Sequence, residues 1–205
     1  MENDESVFEK TYRDYLGQVF RLDFSSLEYK LGVEVKENEI TIPLFKKPHK
    51  ISKDRVSDPN GKRPTLDICV ILFKYLLLCP EVSPFEKEWV SFKDFKDSGP
   101  LTTYFANDVE RNITSYFSGK MPGLEKACKN LDGYEPGIDA AYDLSVQFNA
   151  LPRVPSILLF NEADDEFPAK CSVLFERRAE QYLDPESLAM LGYCLFTYLK
   201  RAAAF

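Results

Sequence analysis

The chain has 205 residues, 44% hydrophobic and 14% aromatic, enough to bury a substantial core, and a single domain is the expected organisation. Its 33 Asp and Glu outnumber its 26 Lys and Arg, and the resulting net charge of −7 argues against a nucleic-acid partner held by phosphate neutralisation over the whole surface. Met1-Glu2-Asn3-Asp4-Glu5 is the reverse of a cationic leader, so a cytoplasmic location is expected; the longest apolar stretch, residues 66–79, contains Asp67 and Lys74 and is too short for a membrane span.

Val7, Phe8, Tyr12, Tyr15, Leu16, Val19 and Phe20 recur at three- and four-residue spacing and predict an amphipathic helix. Val33 and Val35, then Ile40, Ile42 and Leu44, alternate with polar residues on either side of Asn38, which predicts a hairpin with one wet face. Residues 45–64 hold few apolar side chains and the turn formers Pro59, Gly61 and Pro64, so a long surface connection is expected. Thr65 as N-cap and Asp67 in the first turn then open a helix over 66–78 that is apolar on most sides and therefore central.

Trp89, Phe92 and Phe95 lead through Ser98-Gly99-Pro100 into a helix with Leu101, Phe105, Val109, Ile113 and Phe117 on one face, closed by Gly119. Leu124, Ala127, Cys128 and Leu131 predict a short helix ended by Gly133. Tyr142, Leu144, Val146 and Phe148 alternate with polar residues as a half-buried antiparallel strand, and residues 156–160 and 171–175 follow as two more strands around an acidic turn. Asp184-Pro185-Glu186 then opens a long closing helix with Leu188, Leu191, Leu195 and Leu199. Strands fall in two groups separated by helices instead of alternating with them, so the fold class is α+β: one domain of mostly antiparallel sheet packed with amphipathic helices.

His49 is the chain's one histidine, set between Pro48 and Lys50, and a surface or turn position is expected for it. No Gly-x-Ser-x-Gly elbow, no zinc-ligand spacing and no phosphate-loop motif occurs. Cys69, Cys79, Cys128, Cys171 and Cys194 include no Cys-x-x-Cys pair and are expected as reduced, mostly buried thiols.

Two charge clusters carry the functional expectations. Lys46, Lys47, Lys50, Lys53, Arg55, Lys62 and Arg63 stand against only Asp54 and Asp58, a basic segment in an acidic chain. Lys62 and Arg63 lead straight to the helix start at Thr65, where cations and free backbone N–H groups can hold a phosphate or carboxylate. A solvated charged loop is the commoner meaning of such a run and is preferred at this level. In the second cluster Glu162, Asp164, Asp165 and Glu166 crowd one turn. Like charges this close call for a cation, an arginine or raised pKa values, so the turn reads as a divalent-metal site, as a general acid or, by preference, as a hydrated hairpin turn. Arg153, Arg177 and Arg178 are candidates to pair with it.

Leu151-Pro152-Arg153-Val154-Pro155, then Ala163-Asp164-Asp165-Glu166-Phe167-Pro168-Ala169, Leu174-Phe175 and Tyr182-Leu183, resemble an uncharacterised family, domain of unknown function 3786. Gly32-Val33, Trp89, Phe92, Phe95, Gly99-Pro100 and Tyr104-Phe105 look like its earlier landmarks, so the resemblance covers nearly the whole chain. It implies no established activity, ligand, cofactor or catalytic residue. It does imply an anaerobic bacterial or archaeal setting, in which some relatives are joined to a cysteine-rich iron–sulfur domain of the kind found in corrinoid proteins. The functional expectation is an accessory or binding module of anaerobic metabolism, for an anionic small molecule or a partner protein, with neither nucleic acid nor membrane as partner. Two alternatives stay open: a divalent-metal-dependent enzyme using the carboxylates of the acidic turn, and a structural or interaction protein only.

Overall fold

The computed structural model describes residues 6–138 and 141–204. Helix α1 (Val7–Val19) begins at Ser6, whose hydroxyl accepts the Glu9 N–H at 3.3 Å, and its buried stripe is Tyr12, Leu16 and Val19. Val7 and Phe8, expected on that stripe, are 77% and 69% exposed, so the stripe begins one turn later than the spacing predicts. Helix α2 (Leu27–Leu31) ends at Gly32, which takes the left-handed conformation with φ 69°. The first antiparallel sheet follows in the order β1 (Glu34–Lys36), β2 (Glu39–Leu44), β3 (Lys47–Ile51), β4 (Val56–Ser57). Its first hairpin is the one the alternation predicts, with Val35 opposite Ile40.

Strands β3 and β4 correct the expectation of a long surface connection over 45–64. The turn from β2 to β3 holds Phe45 and Lys46 at φ 45° and 67°, a conformation that Asn or Gly ordinarily signals. Tertiary contacts hold it instead. The Phe45 ring lies edge-on to Phe148 and Tyr198, at 6.3 and 5.7 Å, and its N–H donates to the Ala150 carbonyl at 2.9 Å. Lys46 pairs with Asp132 at 2.7 Å. Prolines disguise these strands as well: Pro43 stands opposite Pro48, at positions that β1 and β4 do not reach, so neither missing N–H breaks a ladder on its outer side.

Helix α3 (Leu66–Leu77) buries Cys69, Ile71, Leu72, Phe73, Tyr75 and Leu76 and packs on both α1 and the closing helix α7 (Pro185–Ala203), the central place its composition predicts. Asp184 caps α7 as expected, accepting the Ser187 N–H at 2.8 Å, and also pairs with Lys74 of α3 at 2.9 Å.

From Leu101 to Phe117 the apolar residues recur at every fourth position. An α-helix turns about 100° per residue, so such a repeat drifts by roughly 40° per step. A change of helix type removes the drift: α4 (Thr102–Tyr104) widens into a π-helix (Phe105–Arg111) and resumes as α5 (Asn112–Phe117), leaving Phe105, Val109, Ile113 and Phe117 all buried. Helix α6 (Met121–Asn130) ends in a Schellman turn, with Asp132 at φ 62° donating to Lys129 O and Gly133 donating to Cys128 O. The left-handed residue is therefore Asp132, and Gly133, expected to close the helix, is needed one position later.

The second antiparallel sheet has the order β5-β8-β7-β6, formed by β5 (Trp89–Ser91), β6 (Leu144–Leu151), β7 (Val154–Asn161) and β8 (Lys170–Glu176). β7 is buried along nearly its whole length, as its continuous apolar run requires. β6 buries Val146 and Phe148, whereas Tyr142 falls outside the strand and is exposed. Residues from both sheets and from the helices join one contiguous buried cluster, and the fold is α+β. The five cysteines are free, and all but Cys79 are buried. Among the described residues no helix is long and apolar enough to cross a membrane.

The π turn aims Glu110 at β8, where its carboxylate accepts the Val173 N–H at 3.0 Å just beyond the reach of β5. Burial pushes the Glu110 carboxyl above its ordinary value, with the Val173 hydrogen bond opposing it. Between the ordinary carboxyl value and the raised folded one, the folded chain retains a proton that the unfolded chain releases, so Glu110 lowers stability as pH rises above the ordinary carboxylate range. Glu110→Gln keeps an acceptor for Val173. The variant is expected to melt above wild type at pH 7, with the gap closing toward pH 4.5, the ordinary carboxyl value; a pH-independent gap would show that another group sets it.

Candidate functional site

The basic segment of the sequence becomes β3, β4 and the loop into α3, and α7 runs beside them. Between these elements opens a cleft of about 660 Å³, lined by Lys47 and His49 from β3, Asp58, Lys62, Arg63 and Thr65 from the loop, and Tyr193, Tyr198 and Arg201 from α7.

Strand alternation puts His49 and Ile51 on the buried side of β3 while Pro48 and Lys50 are exposed. His49 is 1% exposed, which corrects the surface or turn position expected for it. Its Nδ1 lies 2.9 Å from the Lys47 carbonyl, so Nδ1 bears the proton and donates it. Nε2 is then an acceptor with no hydrogen-bond partner among the described residues. Burial pushes the imidazole pKa below its usual value, which favours this neutral form.

Lys47 holds its ammonium 4.2 Å over the Tyr198 ring, and burial, followed by the nearby Arg201 charge, lowers its pKa. Among the described residues Lys47, Lys62 and Arg201 have no carboxylate partner. Arg63 is committed elsewhere: it pairs with Glu9 at 2.7 Å and stacks 3.6 Å over the Tyr12 ring, bracing the loop on α1. Asp58 shapes the turn before α3, accepting N–H bonds from Asn60 and Lys62 at 2.9 and 2.8 Å. Thr65 occupies the N-cap position of α3 as expected, yet its hydroxyl caps nothing. The first-turn amides of Leu66, Asp67 and Ile68 therefore have no internal acceptor where α3 meets the cleft.

None of the acidic-turn residues lines this cleft. Glu162 accepts the Gly119 N–H at 2.9 Å and the Ser118 hydroxyl at 3.1 Å, tying the end of β7 to the cap of α5, and the Gly119 bond foremost holds its pKa below the usual range. Asp164 accepts the N–H groups of Glu166 and Phe167 at 2.8 and 2.7 Å, an Asx turn, and Asp165 and Glu166 are exposed. Among the described residues no three His, Cys, Asp or Glu side chains are grouped to hold a metal. The three arginines expected beside the turn are engaged elsewhere: Arg153 donates to the Tyr29 and Lys30 carbonyls, Arg177 pairs with Glu88 and Arg178 pairs with Glu176.

The model of the family described as Domain of unknown function (DUF3786) matches residues 23–198, a span that contains the acidic turn and the whole basic segment. The chain belongs to this family. No curated protein and no solved structure matches it. The DUF3786 match takes in Lys47, His49, Lys62 and Tyr198, and it ends before Arg201 and begins after Glu9 and Tyr12. One cation of the cleft and the brace on Arg63 are thus supplied from outside the DUF3786 span. Sequence reasoning points to Lys62 and Arg63 and misses His49, Tyr198 and Arg201. For His49 the available signal is its two-residue spacing from Ile51, disguised by Pro48; for the two α7 residues there is none, because only packing brings α7 to the loop.

Proposed function

We propose that this chain is a binding module for a small anionic molecule, taken up in the cleft between β3, the loop before α3, and α7. One arrangement carries the reading: Lys47, Lys62 and Arg201 surround a single cleft without a carboxylate partner among the described residues, beside the uncapped start of a 12-residue helix. Gathering like charges is unfavourable unless a counter-charge offsets it, and the helix dipole and free amides favour the same sign of ligand. His49 makes its one hydrogen bond to a backbone carbonyl and is paired with no nucleophile, so the reading is of binding without covalent chemistry.

Titration calorimetry with pyrophosphate is expected to give binding that Lys62→Ala combined with Arg201→Ala weakens by about tenfold or more, the scale of losing charge-assisted contacts. Chelator and Asp165→Ala are expected to leave it unchanged. Binding that disappears in chelator or in Asp165→Ala would favour a metal-dependent site at the acidic turn, and an absence of heat with every anion tried would remove the proposal.

A further inference from the structure

We infer that the molecule held in this cleft is an organic phosphate monoester, with its phosphoryl group at the start of α3 and its organic body against the Tyr193 and Tyr198 side of α7. The inference rests on the anion-binding reading above and narrows it. Three features of the cleft point the same way.

The first is donor number. A carboxylate offers two oxygens and one negative charge, whereas a phosphate monoester offers three strong acceptor oxygens and nearly two charges. Unpaired amides of the α3 first turn, the idle Thr65 hydroxyl and Lys62 together offer more donors than a carboxylate can accept. Lys47 and Arg201 add two further cations to the same cleft, where Asp58 and Asp67 are the carboxylates and neither pairs with them.

The second is size. At about 660 Å³ the cleft is on the scale of sites that take whole small molecules. Inorganic phosphate, only a few water volumes, would fill a small part of it. The third is a pair of polar tips, one on β3 and one on α7, that open on the cleft from otherwise buried side chains. His49 and Tyr198 are 1% and 4% exposed, both line the cleft, and neither His49 Nε2 nor the Tyr198 hydroxyl has a hydrogen-bond partner among the described residues. Both atoms open on the cleft instead of being sealed in the interior, and hydroxyl groups on an organic body would hydrogen-bond to them. Tyr193, Ile68, Pro59 and Pro64 supply apolar wall for the rest of such a body.

The test compares phenyl phosphate, inorganic phosphate and benzoate by titration calorimetry on the full chain. Phenyl phosphate is expected to bind about tenfold tighter than either of the other two. Thr65→Val and Lys62→Ala, both at exposed positions, are expected to weaken phenyl phosphate, and Tyr193→Ala to bring it down to the affinity of inorganic phosphate. Equal affinity for phenyl and inorganic phosphate would overturn the organic body while leaving the anion site intact. Benzoate binding as tightly as phenyl phosphate would overturn the phosphoryl assignment alone. Failure of all three probes to bind would take the anion-binding reading down with it.

Discussion

Gly133→Ala is expected to destabilise the chain by about 3 kcal/mol, the upper end for forced overpacking, and to lower its melting temperature by roughly 6–12 °C for a chain of this size. A Cβ at this position would lie 2.4 Å from Val146 Cγ1, 2.9 Å from the Cys128 carbonyl oxygen and 2.9 Å from Phe148 Cε1. None of the three can yield cheaply. The Cys128 carbonyl is held by the Gly133 N–H itself in the Schellman turn, and Val146 and Phe148 are buried side chains of β6. Relief would require α6 to move away from the second sheet. Gly17→Ala is the control: its Cβ meets nothing within 4 Å inside α1, so the same substitution should stabilise by about 0.5–1 kcal/mol through helix propensity. Urea denaturation followed by circular dichroism measures both, and a cost under about 1 kcal/mol at Gly133 would mean that the helix and sheet do not meet as closely as described.

Tyr75→Phe is expected to cost a similar amount, about 3 kcal/mol, although it removes a single oxygen. That oxygen donates to the Leu31 carbonyl at 2.6 Å and accepts the Arg153 N–H at 3.1 Å, so its loss leaves two groups of different segments unpaired in the interior. Arg153 completes the joint, its guanidinium donating to the Lys30 and Tyr29 carbonyls at 3.1 and 2.7 Å, which are orphans of the α2 C-terminus. Gly32 lies under the same joint, where a Cβ would come within 3.1 Å of Pro152 Cβ. The Phe variant keeps the ring and its packing at 6.0 Å from Tyr182, so the loss reads the hydrogen bonds and not a cavity. An unchanged m-value with a lower midpoint is the expected signature; stability within about 0.5 kcal/mol of wild type would show that water replaces the phenol oxygen.

Gly32 and Pro152-Arg153, two landmarks of the family resemblance separated by well over a hundred residues, thus meet in one structural joint. In the acidic Asp164-Asp165-Glu166-Phe167-Pro168 stretch, another landmark of that resemblance, the Asp164 carboxylate is occupied with holding its own turn, while the neighbouring Glu162 fastens β7 to α5. These roles are mechanical. They draw the functional reading away from the acidic turn and toward the basic cleft.

Local physics was enough for the elements that rest on it. Hydrophobic period sets the stripe of α1, the β1–β2 hairpin, the central place of α3 and the buried run of β7, and Asp184-Pro185 starts α7 by capping chemistry alone. Period also carries the α+β class, because it separates the strands into two groups. The sequence likewise marks Lys62 and Arg63 as cations at a helix start, since adjacency along the chain is all that reading needs. What only the tertiary structure decided is whatever depends on contacts between distant segments. The Phe45-Lys46 turn holds two positive φ values because Phe148, Tyr198 and the Ala150 carbonyl secure it, and without that turn β3 cannot form and His49 has no buried face to occupy. Arg63 and Lys62 are neighbours in sequence, yet Glu9 and Tyr12 take one and leave the other unpaired. Lys47 and Arg201 lie more than a hundred residues apart, and their meeting in one cleft follows from how α7 packs, which no local pattern encodes.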